Sequence, residues 1–318
     1  MELLKRDSRN REVVFPYLNG EDLNSRPDCS AARWVIDFND WSIERAQQYP
    51  DAFAVIDRDV RPERQRTKED GTFVLRKPLP QRWWQYADKR PALRKAIAGL
   101  ERVLVIARVS RTGIAAFVPT GQVLNEKVVV FVTDRAGHLT LINSELHMSW
   151  AWRYSATLKT DLQYTPSDCF ETFSQPELTA RMDQVGEELH SFRRSVMLEQ
   201  QLGLTKLYNL VHSEAETGED VRRLREIHTE VDYAVAEAYG WGDLDLKHGF
   251  HDTRQGPRFT IDPVVQVDIL DDLLELNHER YNEEVRQGLH NKGKRKVAAK
   301  PTAPAMDGEL FPPEGALF

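Results

Sequence analysis

Arg102 to Val118 reads RVLVIARVSRTGIAAFV, two apolar runs rich in β-branched residues on either side of a Thr112-Gly113 turn. Such side chains suit the pleated surface of a strand, and a glycine between two runs marks where the chain reverses. Strands are therefore predicted over 102–110 and 114–118. Arg33 to Phe38 (RWVIDF) and Val128 to Thr133 (VVVFVT) have the same texture, and the turn Pro119 to Gln122 follows the third of the four runs. Ser42 before Ile-Glu-Arg-Ala and Pro91 at the head of ALRKAIAGL are helix starts. The expected fold class is α+β, with a mixed, largely antiparallel, twisted sheet and flanking helices.

The texture changes after Pro176. Leu178, Met182, Val185, Leu189, Phe192, Val196 and Leu198 recur near helical spacing, and no strand-like run interrupts them. Two more helices are predicted, from about Asp220 to Tyr239 and from about Pro263 to Gly288, with glycine as the stop signal in both. Helices of that length on short connections are expected to pack as an antiparallel bundle. From His290 onward, proline and lysine without periodicity predict a disordered tail. The chain thus divides into 13–175, 176–289 and 290–318.

With 318 residues, 41% of them hydrophobic, the chain can bury one large core or two ordinary ones. No apolar run reaches bilayer length, and MELLKRDSRNREVVF lacks the apolar stretch of a secretion signal. A cytoplasmic location is expected. Cys29 and Cys169 are spaced like neither a metal knuckle nor a disulfide framework, and are read as reduced thiols. The net charge of −7 divides unevenly: residues 1–175 carry 26 Lys and Arg against 23 Asp and Glu, and residues 176–318 carry 17 against 27. Only the first part has the balance to meet a polyanion, so the acidic helical part is expected to face away from one.

Five ordered blocks carry a further signal: Pro16 to Asp28 (PYLNGEDLNSRPD), Trp83 to Ser110, Phe117 to Val123 (FVPTGQV), Ser149 to Tyr164 (SWAWRYSATLKTDLQY) and Thr165 to Phe173 (TPSDCFETF). Together they resemble the target recognition domain of MmeI-like type IIL restriction-modification enzymes, single chains that methylate adenine N6 and cut DNA at a distance. AEAYGW (Ala236 to Trp241) and LLELNHERYNEEV (Leu273 to Val285) resemble that family's helical tail. The resemblance implies a DNA target recognition domain over 13–175 and a C-terminal helical domain over 176–289. The family's nuclease and methyltransferase parts would lie upstream of Met1.

The chemistry of methylation is not written in this sequence. A methyltransferase needs a glycine-rich turn where backbone approaches S-adenosylmethionine, and no glycine cluster here fits. The resembled family also uses an Asn-Pro-Pro-aromatic loop for the flipped adenine, whereas the sole Pro-Pro pair, Pro312-Pro313, follows Phe311 in the tail. The expectation is no cofactor in this chain, with S-adenosylmethionine held by a separate catalytic part. A metal-dependent nuclease is the rival enzyme reading, because Asp243, Asp245 and Lys247 lie beside His248, His251 and Asp252. The plainer reading is a polar loop between two helices.

Base reading needs Arg for guanine and Asn or Gln for adenine, with further side chains on phosphate. The loop after the second predicted strand offers Arg108, Ser110, Arg111 and Thr112, and a second segment offers Arg153, Ser155, Thr157, Lys159 and Asp161. In the resembled family these two regions hold the base-reading side chains. Arg111, Arg153 and Lys159 lead, each weighed against an ordinary solvated surface charge. Asn19, Gly20, Asp22 and Asn24 are read as structural turn formers. Trp83, Trp84, Trp150 and Trp152 could stack on bases but are read as core, and Cys169 and Phe170 as a packed closing strand. KGKRK (Lys292 to Lys296) is either a nucleic-acid grip or a solvated run. The resulting expectation is a sequence-specific reader of double-stranded DNA serving a separate methyltransferase or restriction chain. Rivals are a remnant of a longer enzyme, a nuclease, and a helical scaffold without DNA contact.

Overall fold

The computed structural model describes residues 2–289. The predicted tail and the KGKRK run lie outside the described residues. Helix α1 (Glu2–Arg6) leads into β1 (Val14–Leu18), and α2 (Gly20–Ser25) separates it from β2 (Arg33–Ile36). Here the block PYLNGEDLN shows its purpose. The Asn19 side chain accepts from the Asp22 amide at 2.8 Å and caps α2, and the Asp22 carboxylate accepts from the Ala32 amide at 3.1 Å. At Gly20 an added Cβ would sit 3.3 Å from both Ala107 Cβ and the Lys127 carbonyl, so glycine lets α2 seat closely on the next sheet.

Helices α3 (Ile43–Ala46), α4 (Pro50–Asp59) and α5 (Arg61–Arg64) follow, and α3 and α4 enclose a small core of their own with Val13, Val14, Phe38 and Trp83. The Trp83 ring is buried there, and the Trp84 indole N–H donates to the Trp41 carbonyl at 2.9 Å. Both rings are therefore structural. Trp150 is likewise 2% exposed.

Pro91 heads α6 (Pro91–Ile97), as proline in a first turn should. Then come β3 (Arg102–Ala107), β4 (Val109–Ser110), β5 (Ala115–Pro119), β6 (Val123–Leu124) and β7 (Val128–Phe131). β3 lies antiparallel between β5 and β7, with Leu104 opposite both Phe117 and Phe131, and the run from Val103 to Ala107 is buried. The expected single sheet is instead several small ones. β6 joins β1 in parallel, making a second three-stranded sheet in the order β2-β1-β6. The run 102–110, expected as one strand, divides at Arg108: its amide donates to the Lys127 carbonyl at 2.8 Å, and the chain then leaves β7 for another sheet.

Helices α7 (Ala136–Asn143) and α8 (Glu145–Tyr154) precede β8 (Ala156–Leu158), β9 (Asp161–Gln163) and α9 (Pro166–Cys169). The closing strand expected at Cys169 is thus a helical turn, because Pro166 suits a first helical position and the Thr165 carbonyl accepts from Asp168 and Cys169. Cys169 is still buried, and both cysteines are free.

The predicted long helices appear as α10 (Ala180–Glu199), α12 (Glu219–Ala238) and α13 (Pro263–Arg286), with α11 (Leu204–Val211) between the first two. Left-handed Gly240 and Gly288 follow α12 and α13. The expected polar loop between these two helices instead contains the hairpin of β10 (Gly249–Thr253) and β11 (Gly256–Thr260). One continuous hydrophobic cluster runs from Leu18 through the β3 sheet to Leu273, crossing the expected boundary at 175. No helix among the described residues is long and apolar enough to cross a membrane.

At the crossing of α10 and α7, a Cβ on Gly186 would lie 2.1 Å from the Ala136 carbonyl oxygen. Alanine normally favours a helix over glycine by about 1 kcal/mol. Overpacking against rigid backbone costs about 1 to 3 kcal/mol, so the clash decides the sign. Gly186→Ala should lower the urea midpoint at unchanged slope, and a variant as stable as the parent would show that the crossing can yield.

Burial holds His147, His212 and His228 neutral, pushing each down to about 3. His147 meets the Tyr164 hydroxyl at 2.8 Å, and His228 the Tyr208 hydroxyl at 2.7 Å. Unfolded histidines bind protons near pH 6.5 while these do not, so the stability they contribute is full above that pH and is lost as pH falls toward 3. Glu145, pushed up by burial and by the charge of Asp232, acts in the opposite sense. Comparing variants isolates the histidine effect: His147→Gln should flatten the decline of unfolding free energy between pH 6 and pH 4 by about 1.4 kcal/mol per pH unit. An unchanged slope would show that His147 is protonated in the native state.

Candidate nucleic-acid interface

β4, β9 and β8 form a sheet in that order, pairing Ser110 with Leu162 and Leu162 with Thr157. Residues directly opposite in a ladder share a face. Ser110 and Leu162 are buried, so their face turns inward along β4 and β9, whereas Thr157 on the same face is exposed at the edge strand β8. The other face carries Val109, Gln163 and Ala156 in one row and Asp161 with Leu158 in the next. It is open: Val109 is 38% and Leu158 52% exposed. The hairpin between β8 and β9 closes through Lys159-Thr160, with left-handed backbone at Lys159 (φ 59°).

This sheet brings together the two segments that the sequence singled out, about 40 residues apart in the chain. Arg111 extends β4 at the end of the sheet where Asp161 and the Lys159 turn lie, while Arg108 and Arg153 belong to the opposite end. Arg111, Arg153, Thr157 and Lys159 are exposed, and among the described residues their side chains have no hydrogen bond or ion pair. Asp161 is half-buried. Arg108 is half-buried too and donates from Nε to the Glu126 carbonyl at 3.0 Å.

Three of the candidates have structural duties. The Ser110 hydroxyl accepts from the Thr112 amide at 3.2 Å and the Gly113 amide at 3.1 Å, and Thr112 is buried beside it. They shape the turn from which Arg111 projects. Gly113 suits that turn, because its φ of 65° is a left-handed conformation that favours glycine, and an added Cβ would force the end of the Met148 side chain to move. The Ser155 hydroxyl accepts from the Thr165 amide at 3.2 Å and fastens the base of the hairpin.

Two features escaped the sequence. Gln163 sits centrally in the outward row, half-buried, with no side-chain partner among the described residues. Its only signal was an amide at an outward position of a strand too short to predict. The β10–β11 hairpin also reaches this end of the molecule, where Gln255 Nε2 donates to the Arg111 carbonyl at 3.2 Å.

The acidic segment considered for a nuclease has local roles instead. Asp245 caps the Lys247 amide at 3.1 Å, His248 meets the Asp232 carboxylate at 2.8 Å, and His251 meets the Lys247 carbonyl at 3.1 Å. Among the described residues no three His, Cys, Asp or Glu side chains are grouped to hold a metal ion.

Comparison with known proteins agrees with this architecture. The structure of the type IIL restriction-modification enzyme MmeI in complex with DNA is similar, with a TM-score of 0.57 at 12% identity over 88% of this chain and 33% of that one. At that identity the likeness concerns the fold, and this chain spans about a third of the length of that protein. None of the curated proteins matches the sequence. The profile described as MmeI, target recognition domain, matches residues 1–177, more than half of the chain. The chain belongs to the MmeI target recognition domain family.

Proposed function

We propose that this chain reads a target sequence in double-stranded DNA for an adenine N6 methylating restriction-modification system. The outward face of the β4-β9-β8 sheet and its two ends form the reading surface. One observation carries the reading: two distant segments converge on a single sheet and present Arg111, Arg153 and Lys159 without partners within the described chain. Exposed cations without an ion-pair partner are free to meet phosphate, where each contact releases counterions. A two- or three-stranded ribbon is also narrow enough for the major groove. Family membership and the DNA complex of the similar structure support the same reading.

The roles within the surface follow from chemistry. Arg111 offers a fork that matches the two acceptors of guanine, and Gln163 an amide that matches adenine. Lys159 and Arg153, at opposite ends of the sheet, fit phosphates on either side of the groove. S-Adenosylmethionine, base flipping and any cleavage belong to a separate catalytic part, with the helical region as its docking surface, and the protein acts in the cytoplasm.

Gel-shift selection from random duplexes tests the reading. A preferred site should emerge, with affinity that falls steeply as salt rises. Flat affinity between low and physiological salt would exclude phosphate contact. Arg111→Ala should relax preference at one base pair, costing about 1 to 3 kcal/mol, whereas Lys159→Ala should weaken all duplexes evenly and reduce the salt slope by about 1. Full base preference after Arg111→Ala would remove that assignment.

The division of labour has its own test. With labelled S-adenosylmethionine, the purified chain alone should transfer no methyl group, and adding its catalytic partner should give transfer at the selected site. Transfer by this chain alone would overturn that division.

A further inference from the structure

The β10–β11 hairpin stands in the acidic part of the sequence, yet it carries Arg254 and Arg258 against Asp252 alone. Its base is embedded. Phe250 and Phe259, opposite each other in the ladder, cover the Arg225 guanidinium at 5.0 and 5.9 Å, and Thr260 and Ile261 are buried. Its tip is a two-residue turn, Arg254-Gln255, closed by the Thr253 hydroxyl, which donates to the Gly256 carbonyl at 2.8 Å and accepts from the Gln255 amide at 3.1 Å. A tip so braced has little freedom to lose when it meets a ligand.

What the tip touches decides its use. Gln255 holds the carbonyl of Arg111, the residue placed at the centre of base reading, so Arg254 is carried to the same end of the sheet. Arg254 is exposed and has no partner among the described residues. Arg258, one strand back, is half-buried with a buried Nε that lacks a partner, and it lies close enough to Arg111 to feel its charge. Arg254 at the tip and Arg258 one strand back are thus brought to the Arg111 end of the sheet, where the carboxylates are Asp161 on β9, Asp252 on the hairpin and Glu145, whose charge reaches Arg258. Arg111 and Arg254 are exposed cations at this end without an ion-pair partner among the described residues, which leaves both free to meet an anion.

We infer that the β10–β11 hairpin is a second DNA-contacting element, in which Arg254 grips a backbone phosphate beside the base pair met by Arg111 and Gln255 positions the Arg111 loop. This rests on the proposed reading of duplex DNA. It also revises the expectation that the whole C-terminal part faces away from DNA.

The test measures binding of the full chain to its selected duplex and to a scrambled duplex over a range of salt. Arg254→Ala should weaken both duplexes by a similar factor, about five- to tenfold at 0.1 M salt, and make the slope of log affinity against log salt shallower by about 0.9. Gln255→Ala should leave the slope unchanged and reduce discrimination between the duplexes, which a purely structural role for the hairpin would not do. Unchanged affinity and slope in Arg254→Ala, with Arg111→Ala still impaired, would overturn the hairpin assignment and leave the sheet as the reader. A parent chain that binds neither duplex would overturn both.

Discussion

The contact between the Gly186 position and the Ala136 carbonyl fixes how closely α10 can approach α7, and most of the molecule is arranged around that crossing. The Thr140 hydroxyl donates to the Met182 carbonyl at 2.6 Å, and the Asp183 carboxylate takes both the Gly137 amide at 2.8 Å and the Arg135 guanidinium at 2.9 Å. Asp183 thus stabilises the start of α7, where free amides and the helix dipole favour negative charge. With the two helices so close, buried Arg193 reaches through to the Ala115 carbonyl at 2.9 Å, and Asn143 bonds both the amide and the carbonyl of Ala115. The first residue of an edge strand is thereby satisfied from two helices. The β5-β3-β7 sheet and the C-terminal helices cannot be separated without leaving buried polar groups unpaired.

The small outward sheet inherits its position from this frame. β3 is locked between β5 and β7, so the break at Arg108 aims β4 away from them at a fixed point. β9 is held to it by buried Leu162 and by Tyr164, whose hydroxyl meets His147 of α8. Rigid support beneath short strands is what a reading surface needs, because a side chain misplaced by an ångström loses a directional hydrogen bond. Arg225 gives the β10–β11 hairpin comparable support. It donates to the carbonyls of Leu210, Val211, Ser213 and Glu216, closing the C-terminal end of α11, and presents its face to Phe250 and Phe259.

The sequence disclosed what long-period patterns encode. The apolar spacing from Met182 to Val196 and the glycine stops after α12 and α13 were readable because a helix repeats its burial over many turns. The β-branched runs of β3 and β7 were readable for a different reason, because largely buried strands are continuous apolar runs. β8 and β9 were not, and β4 was read only as the continuation of β3, since strands of two or three residues have no period, and Ala156 to Leu158 are all exposed. The β10–β11 sequence GFHDTRQGPRFT mixes charge, glycine and proline, so its pairing comes from Phe250 and Phe259 packing on Arg225 rather than from propensity. The residues of the candidate site could be picked out because loop arginines suggest phosphate and guanine. Their division into outward Arg111 and inward Ser110 and Thr112 required the ladder register.

A net charge of −7 opposes approach to DNA only if the carboxylates act as free charges at the same surface. In the helical part many are tied to arginine: Glu187 to Arg102, Glu188 and Glu230 to Arg223, Glu237 to Arg181, and Asp183 to Arg135. Such exposed pairs add little stability individually. Their larger effect is on the field, because each of these four arginines offsets one negative charge locally, Arg223 being shared between Glu188 and Glu230, and is itself no longer available to a ligand. Arg111, Arg153, Lys159 and Arg254 have no such partner among the described residues. Over a Debye length of about 10 Å at 0.1 M salt, a docking phosphate feels this local set and not the sum over the chain. An acidic protein can therefore present a DNA-reading face.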